Sequence, residues 1–340
     1  MKMKPPFLSI CVPNYNRPQE LLRMLSSIDS KNAESVEIVI IDDKSPLAQQ
    51  VKEVVAVFIK NSLYRVVFKE NKNNLGYDKN LKELVKLAAG EWIIFMGNDD
   101  EFVPGALDKL IGFLKNNSGL GYVLKSHERI YPNGKAEKFR YFESNKFFKP
   151  GYEAYISLFR TSVFISGFTI RRNPITNMLV DNFDGTLLFQ LYLMAETVLK
   201  NKSAYFDEPL TRGYEGGIPE FGSSKSEQSF YTPGTVTVEN SLNFLRGFFK
   251  ITQFMDKKYG FDSTPDIKKD MSKYFYPSLA IQRNKGLKVF LDYVSQLNKI
   301  GFNRSIYYYI YVTALIVLGK SVCDNIIRIL KNLLGKTPKL

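Results

Sequence analysis

The apolar positions of this chain follow two alternating periods. Short apolar runs rich in strand formers occupy residues 7–12 (FLSICV), 36–41 (VEIVII), 64–68 (YRVVF) and 92–96 (WIIFM). Between them, apolar residues recur at helical spacing: Leu21, Leu22, Leu25 and Ile28 within 20–28, then 51–58, then 80–89. Strands that alternate with helices predict βαβ units around a mostly parallel sheet. Continuous apolar strands fit a sheet covered on both faces. A helix over 105–116 follows Pro104, and Pro132-Asn133-Gly134 predicts a turn joining strands at 122–129 and 131–142. Helices are expected over 151–159 and 185–199, a loop over 213–229, and helices from residue 235 to the end.

In such sheets ligands sit beyond the carboxyl ends of the strands. Here those ends carry Asn14-Tyr15-Asn16, Asp42-Asp43 and Asp99-Asp100, so polar chemistry gathers on one edge.

Composition narrows the classes. Of 340 residues, 44% are hydrophobic and 24% charged, so a packed core is expected rather than disorder. Cys11 and Cys323 are the two cysteines, without ligand spacing, and His127 is the one histidine. Disulfide frameworks, cysteine zinc sites and multi-histidine metal sites are therefore excluded, and a reducing cytoplasm is expected. The opening residues show no apolar signal region, so secretion is not expected. The net charge of +13 is uneven: residues 241–340 hold 17 Lys+Arg against 6 Asp+Glu. A near-neutral body with a basic end points either to a polyanionic partner or to a solvated helical surface.

The acidic pairs carry the candidate chemistry. Asp42-Asp43-Lys44-Ser45 ends a buried strand, where a carboxylate can accept hydrogen bonds from a base or ribose or can cap a turn. In Gly97-Asn98-Asp99-Asp100, two adjacent carboxylates repel one another unless a positive group lies between them. A hard divalent cation, shared with substrate phosphates, meets that need.

Four segments in order resemble an inverting family 2 glycosyltransferase of the GT-A fold, from Leu8 to about Tyr214. They are SICVPNYNRP (9–18), IIDDKS (40–45), NLGYDKN (74–80) and NDDEFVP (98–104). The third resembles a subgroup that includes sugar transferases of O-antigen and capsule assembly. In one respect the chain departs from the pattern: Gly97 stands where the first aspartate of the Asp-x-Asp frame usually lies, and Asp99 is the second.

The resemblance implies roles. Pro13 and Tyr15 would line the base pocket. Asp43 would bind base or ribose with Asp42 beside it. Asn74, Gly76 and Asn80 would shape the sugar and diphosphate site, with Asn98 on the donor side. Asp99, supported by Asp100, would hold Mg²⁺ or Mn²⁺ against the departing diphosphate. An inverting transfer needs a general base on the acceptor hydroxyl. The stretch 182–191 (NFDGTLLFQL) has the matching spacing, with Asp184 at the base position and Phe183 replacing the usual glutamate. Asp184 also reads as a helix N-cap, Asp181 is the alternative base, and His127-Glu128 could line the acceptor side.

The end of the chain carries a second theme. Fifteen uncharged residues separate Arg304 from Lys320, too few to cross a bilayer comfortably. Ile326, Ile327, Ile329, Leu330, Leu333 and Leu334 follow at helical spacing, beside Arg328, Lys331 and Lys336. This suits either helices lying on an anionic membrane or helices packed on the catalytic domain. The expected organisation is a GT-A nucleotide-sugar and catalytic domain over 1–234 and a basic helical region over 235–340. The expected function is transfer from a nucleotide-sugar donor to a saccharide, lipid-linked acceptor at the inner face of a bacterial membrane. A catalytically inactive nucleotide-sugar binder is the alternative. Nucleic acid is not expected as a partner, because the basic end carries no recognisable motif for it. A dinucleotide-dependent dehydrogenase is excluded, since the first strand leads into PNYN and not a Gly-x-Gly-x-x-Gly turn.

Overall fold

The computed structural model describes residues 5–216, 222–225 and 227–334, with side chains to Leu330. The chain forms two compact units, Met1–Ile218 with Ser224–Ser229, and Pro219–Ser223 with Phe230–Leu340.

The first unit begins with β1 (Leu8–Asn14), α1 (Pro18–Ser26), β2 (Val36–Asp42), α2 (Ala48–Asn61), β3 (Arg65–Glu70), α3 (Tyr77–Leu87) and β4 (Trp92–Phe95). It continues with β5 (Glu101–Phe102), α4 (Ala106–Asn116), β6 (Leu120–Ile130), β7 (Ala136–Phe139), β8 (Lys146–Phe148) and α5 (Tyr152–Phe159). It closes with β9 (Phe168–Arg171), α6 (Arg172–Ile175), α7 (Phe189–Lys200) and β10 (Lys202–Tyr214). One mixed sheet takes the order β3-β2-β1-β4-β9-β6-β10-β5. The first four strands are mutually parallel, β10 runs parallel to β6, and β9 joins the halves antiparallel to β4 and β6.

Alternate residues of each strand serve opposite faces. Leu8, Ile10, Val12, Ile38, Ile40 and Ile94 share one core with Leu21, Met24 and Leu25 of α1, Val51 and Val55 of α2, and Leu107, Leu110 and Leu114 of α4. Helix α3 packs on β1 and β2 and meets α7. Burial on both faces explains why these strands read as unbroken apolar runs.

Two expectations change here. Residues 213–229 do not open as a loop at 213, because β10 carries the sheet to Tyr214. The helix expected over 185–199 starts only at Phe189. Leu187 adopts a left-handed backbone, φ 62°, which breaks a helix before it can begin.

The second unit is helical: α8 (Val238–Tyr259), α9 (Thr264–Lys273), α10 (Tyr276–Asn284), α11 (Leu287–Lys299), α12 (Ile306–Val317) and α13 (Gly319–Leu334). Helix α12 is anchored within this unit by buried Tyr308, Tyr311 and Leu315. Tyr311 donates to the Lys273 carbonyl at 2.8 Å, and Tyr276 of α10 donates to Asp324 of α13 at 2.7 Å. Among the described residues no helix is long and apolar enough to cross a membrane. Lys336 and the side chains of Lys331, Leu333 and Leu334 lie outside the described residues.

Candidate active site

Parallel register puts the ends of β1 and β2 side by side, with Asn14 opposite Asp42. Asn14 donates to Asp42 Oδ1 at 2.8 Å, and Asn98, beyond the end of β4, donates to Asn14 Oδ1 at 2.8 Å. Asp42 also accepts from the Ser45 amide at 3.0 Å and from the Ser45 hydroxyl. Asn16 and Lys44 take left-handed backbones in the two turns, φ 54° and 60°, and the Asn16 amide donates to Ser45 Oγ at 2.7 Å. Asp42 is fully buried, and the chain Asp42–Asn14–Asn98 knits three strand ends into one edge. Pro13 and Tyr15 stand half-buried beside it.

Asp43 is held from the next loop. Its carboxylate accepts from Asn71 Nδ2 at 2.8 Å, from the Leu75 amide at 2.9 and 3.0 Å, and from the Gly76 amide at 2.8 Å. Asn74 donates to the Asp43 carbonyl at 2.8 Å. Gly76, φ 83°, precedes the first turn of α3 in a conformation that disfavours any side chain. Asn80, one turn later, donates to the Ile41 carbonyl at 3.3 Å. Asp43, Asn74, Gly76 and Asn80 are thus one assembly. Burial raises the Asp43 carboxyl above its ordinary value, against the lowering pull of Leu75, Asn71 and Gly76.

The Asp99-Asp100 pair splits by environment. Asp99 keeps a side chain 47% exposed and forms an ion pair with Arg17, at the start of α1. Arg23 of the same helix donates to the Asp99 carbonyl at 2.9 Å and pairs with Glu101 at 2.8 Å. Asp100 is buried, accepting from the Ser166 hydroxyl, which in turn accepts from the Gly97 amide at 2.8 Å. Burial first, then the Asp99 charge, push Asp100 up to about 8.

This donor set fits a hard divalent cation. Two carboxyl groups lie at adjacent positions, Asp99 half-exposed beside Arg17 and Asp100 buried against Ser166. Among the described residues no group of three or more His, Cys, Asp or Glu gathers for a metal, so phosphate oxygens of a substrate would complete the shell.

The acceptor-side candidate lies in the turns before α7. Asp184 does not cap that helix: the cap position is Leu188, without a side-chain bond of its own. The capping carboxylate comes from α3, where buried Asp78 accepts from the Leu187 and Phe189 amides at 2.9 and 3.0 Å. Asp184 instead pairs with Lys82 at 2.7 Å and lies 3.9 Å from Lys79. Lys82 also meets Asp181 at 2.5 Å and donates to the Val180 carbonyl at 3.2 Å. Phe183, where the resemblance implies a glutamate, is buried against Tyr192, ring centroids 4.7 Å apart.

His127 is packed among Phe139, Tyr141 and Phe164, with ring centroids 4.8, 5.9 and 4.7 Å away. Burial, then the Arg129 charge, press its imidazole down to about 3. It is a core residue, and Glu128 is paired with Arg212 at 2.7 Å. Sequence reasoning missed Ser166, Asp78 and Lys82, whose partners lie far along the chain. Arg17 stood within the first motif but carried no role.

Residues 9–175 match the family described as Glycosyl transferase family 2. An abequosyltransferase, RfbV, of Salmonella typhimurium is 27% identical over 113 residues, covering 33% of this chain and 34% of its own. The GalNAc(5)-diNAcBac-PP-undecaprenol beta-1,3-glucosyltransferase of Campylobacter jejuni is 31% identical over 118 residues, 35% of this chain and 37% of its own. The chain spans about half the length, or less, of the curated relatives it matches. Among solved structures, S. aureus TarS 1–349 in complex with UDP overlays with a TM-score of 0.51 at 15% identity. The overlay covers 85% of this chain and 81% of that one, and it shows a shared fold, GT-A.

Proposed function

From a chain that belongs to glycosyl transferase family 2 through residues 9–175, we propose an enzyme that moves a sugar, with inversion, from a nucleoside-diphosphate sugar to a saccharide acceptor in cell-surface polysaccharide synthesis. One observation carries this reading. The carboxyl ends of β1, β2 and β4 bring Asn14, Asp42, Asn98 and the Asp99-Asp100 pair to a single edge, where side-chain hydrogen bonds tie Asn14 to Asp42 and to Asn98.

In this reading Pro13 and Tyr15 receive the base, and the Asp43 assembly shapes the ribose and sugar side. Asp99 and Asp100 would hold Mg²⁺ or Mn²⁺, which would supply charge neutralisation for the departing diphosphate. Asp184 takes the proton of the acceptor hydroxyl.

The acceptor is read as lipid-linked, with the second unit bound at the surface of an anionic membrane. Two neighbouring helices support this. Helix α12 exposes Ile306, Tyr307, Tyr309, Ile310 and Val317, the last at 72%, and α13 exposes Val322, Ile326, Ile329 and Leu330. Apolar residues exposed this densely mark a binding surface, and the basic excess of residues 241–340 suits anionic headgroups. The Campylobacter relative's own name specifies an undecaprenol-linked acceptor.

A panel of UDP-, GDP-, dTDP- and CDP-sugars, each with and without Mn²⁺, tests the donor reading through release of the nucleoside diphosphate. One donor should turn over with metal dependence. Binding without turnover across the whole panel and a set of lipid-linked acceptors would instead mark a nucleotide-sugar binder.

A further inference from the structure

A lysine taken out of water is costly unless its charge is matched and its donors are used. Lys82 of α3 meets both conditions. Its side chain is 6% exposed, and its ammonium contacts Asp181, Asp184 and the Val180 carbonyl at 2.5, 2.7 and 3.2 Å. Burial pulls its pKa down, yet the hydrogen bond to Asp181 and the ion pair with Asp184 prevail and hold it above the ordinary lysine value.

The two carboxylates do not depend on it equally. Asp181 is 88% exposed and would be hydrated without help, whereas the Asp184 side chain is 19% exposed. The turn between them is already secured elsewhere. Asp78, one helical turn before Lys82 and on the same stripe of α3, binds the Leu187 and Phe189 amides. That bond holds Leu187 in its left-handed backbone, a conformation a leucine keeps only where its surroundings enforce it. An apolar side chain at position 82 would therefore suffice for packing. A buried charge there calls for another role.

We propose that Lys82 is a positioning residue for the acceptor-side carboxylate: its ammonium fixes the direction in which Asp184 presents its oxygens. Asp78 holds the C-terminal flank of that turn and Lys82 the N-terminal flank, both from α3. Lys79, 3.9 Å from the other Asp184 oxygen and largely exposed, adds charge without fixing geometry. The assignment rests on reading Asp184 as the base.

The test compares Lys82→Met, Lys82→Arg, Asp184→Asn and the double variant Lys82→Met/Asp184→Asn in the full chain, with the donor that turns over in the panel. Lys82→Met should lower kcat about 10–100-fold, a part of the loss typical of removing a general base. The donor KM should stay within about twofold. Lys82→Arg should restore part of the rate. The double variant should be no slower than Asp184→Asn alone, because Lys82 acts through Asp184. If Lys82→Met does not fold, Lys82→Gln, which keeps a donor and loses the charge, takes its place with the same expectation. An unchanged kcat in either variant, with Asp184→Asn inactive, overturns the positioning role and leaves the base intact. A fully active Asp184→Asn removes the base and the positioning role together. Additive losses in the double variant would make Lys82 a residue of the fold alone.

Discussion

Gly97 makes the space in which the Asp100 carboxylate sits. A Cβ on Gly97 would come within 2.8 Å of Asp100 Oδ2 and 3.1 Å of Asp99 Oδ1. The residue that departs from the usual Asp-x-Asp frame is therefore the one that lets Asp100, three positions on, fold inward onto Ser166. Restoring the frame with Gly97→Asp should harm the protein. We expect a stability loss of ~1–3 kcal/mol from overpacking and lower metal-dependent turnover, read by thermal denaturation and by the donor assay. Higher turnover than wild type would show that the Gly97 position has room.

Asp99 should separate metal binding from folding. Its half-exposed carboxylate pairs with Arg17, so Asp99→Ala should melt like wild type while losing Mn²⁺ binding, measured by electron paramagnetic resonance. Arg17→Ala should bind Mn²⁺ more tightly, since it removes a positive charge from the same oxygens. Equal Mn²⁺ binding in Asp99→Ala and wild type would refute the ligand assignment.

Asp78 should make stability depend on pH. Burial first, then Glu227 and Asp184, raise its carboxyl from 3.8 to about 7. The folded state thus holds this proton more tightly than the unfolded chain. The contribution is complete below about 3.8 and is lost as pH rises through about 7. Its size is roughly 1–4 kcal/mol. Asp78→Asn should start below wild type at low pH, having lost one acceptor for the Leu187 and Phe189 amides, and the two melting curves should converge above neutrality. Parallel curves across that range would count against the assignment.

Lys125 should be dispensable. It is fully buried on β6, its amine has no hydrogen-bond partner among the described residues, and burial holds its pKa well below the lysine range. The unfolded chain therefore binds this proton more tightly, and the penalty grows as pH falls. Lys125→Met should raise stability by ~1–3 kcal/mol, the usual cost of an unsatisfied buried polar group. It should also flatten the rise of stability with pH. A lower melting temperature would reveal a partner for the amine.

The membrane reading has a test that spares the fold. Deleting α12 and α13 would strip Tyr308, Tyr311 and Leu315 from the core of the second unit. Ile310→Asp with Ile329→Asp alters only exposed positions, at 52% and 57%. The pair should abolish co-sedimentation with vesicles of phosphatidylglycerol and phosphatidylcholine, with no change in melting temperature. Vesicle binding equal to wild type would point to a protein partner on this face.

The first half of the sheet was legible because it is self-contained. Strands β1, β2 and β4 are buried on both faces, β3 at the edge is half-buried, and amphipathic helices separate them, so period and composition locate them. Strand β10 was not legible: Asp207, Glu208 and Pro209 interrupt it, and the pairing with β6 shifts register around Pro209. The start of α7 was misplaced because its cap, Asp78, lies over a hundred residues upstream. Asp42, Asp43 and Asp99 could be found from their place after apolar strands. Lys82 could not, since a lysine on an amphipathic helix reads as solvated until the fold brings Asp181 and Asp184 to it.

Helix α3 also sets a constraint on descent. Gly76 ties its start to Asp43, while Asp78 and Lys82 reach the turn before α7 from one stripe of its surface. Each residue of an α-helix advances the rotation by about 100°. Inserting or deleting one residue between Gly76 and Lys82 would swing Lys82, and for a change ahead of Asp78 both side chains, away from their partners, though the helix itself would survive. Lineages that keep this arrangement of Asp78 and Lys82 against the turn before α7 should therefore hold the interval from Gly76 to Lys82 at constant length, even where most residues inside it have been replaced.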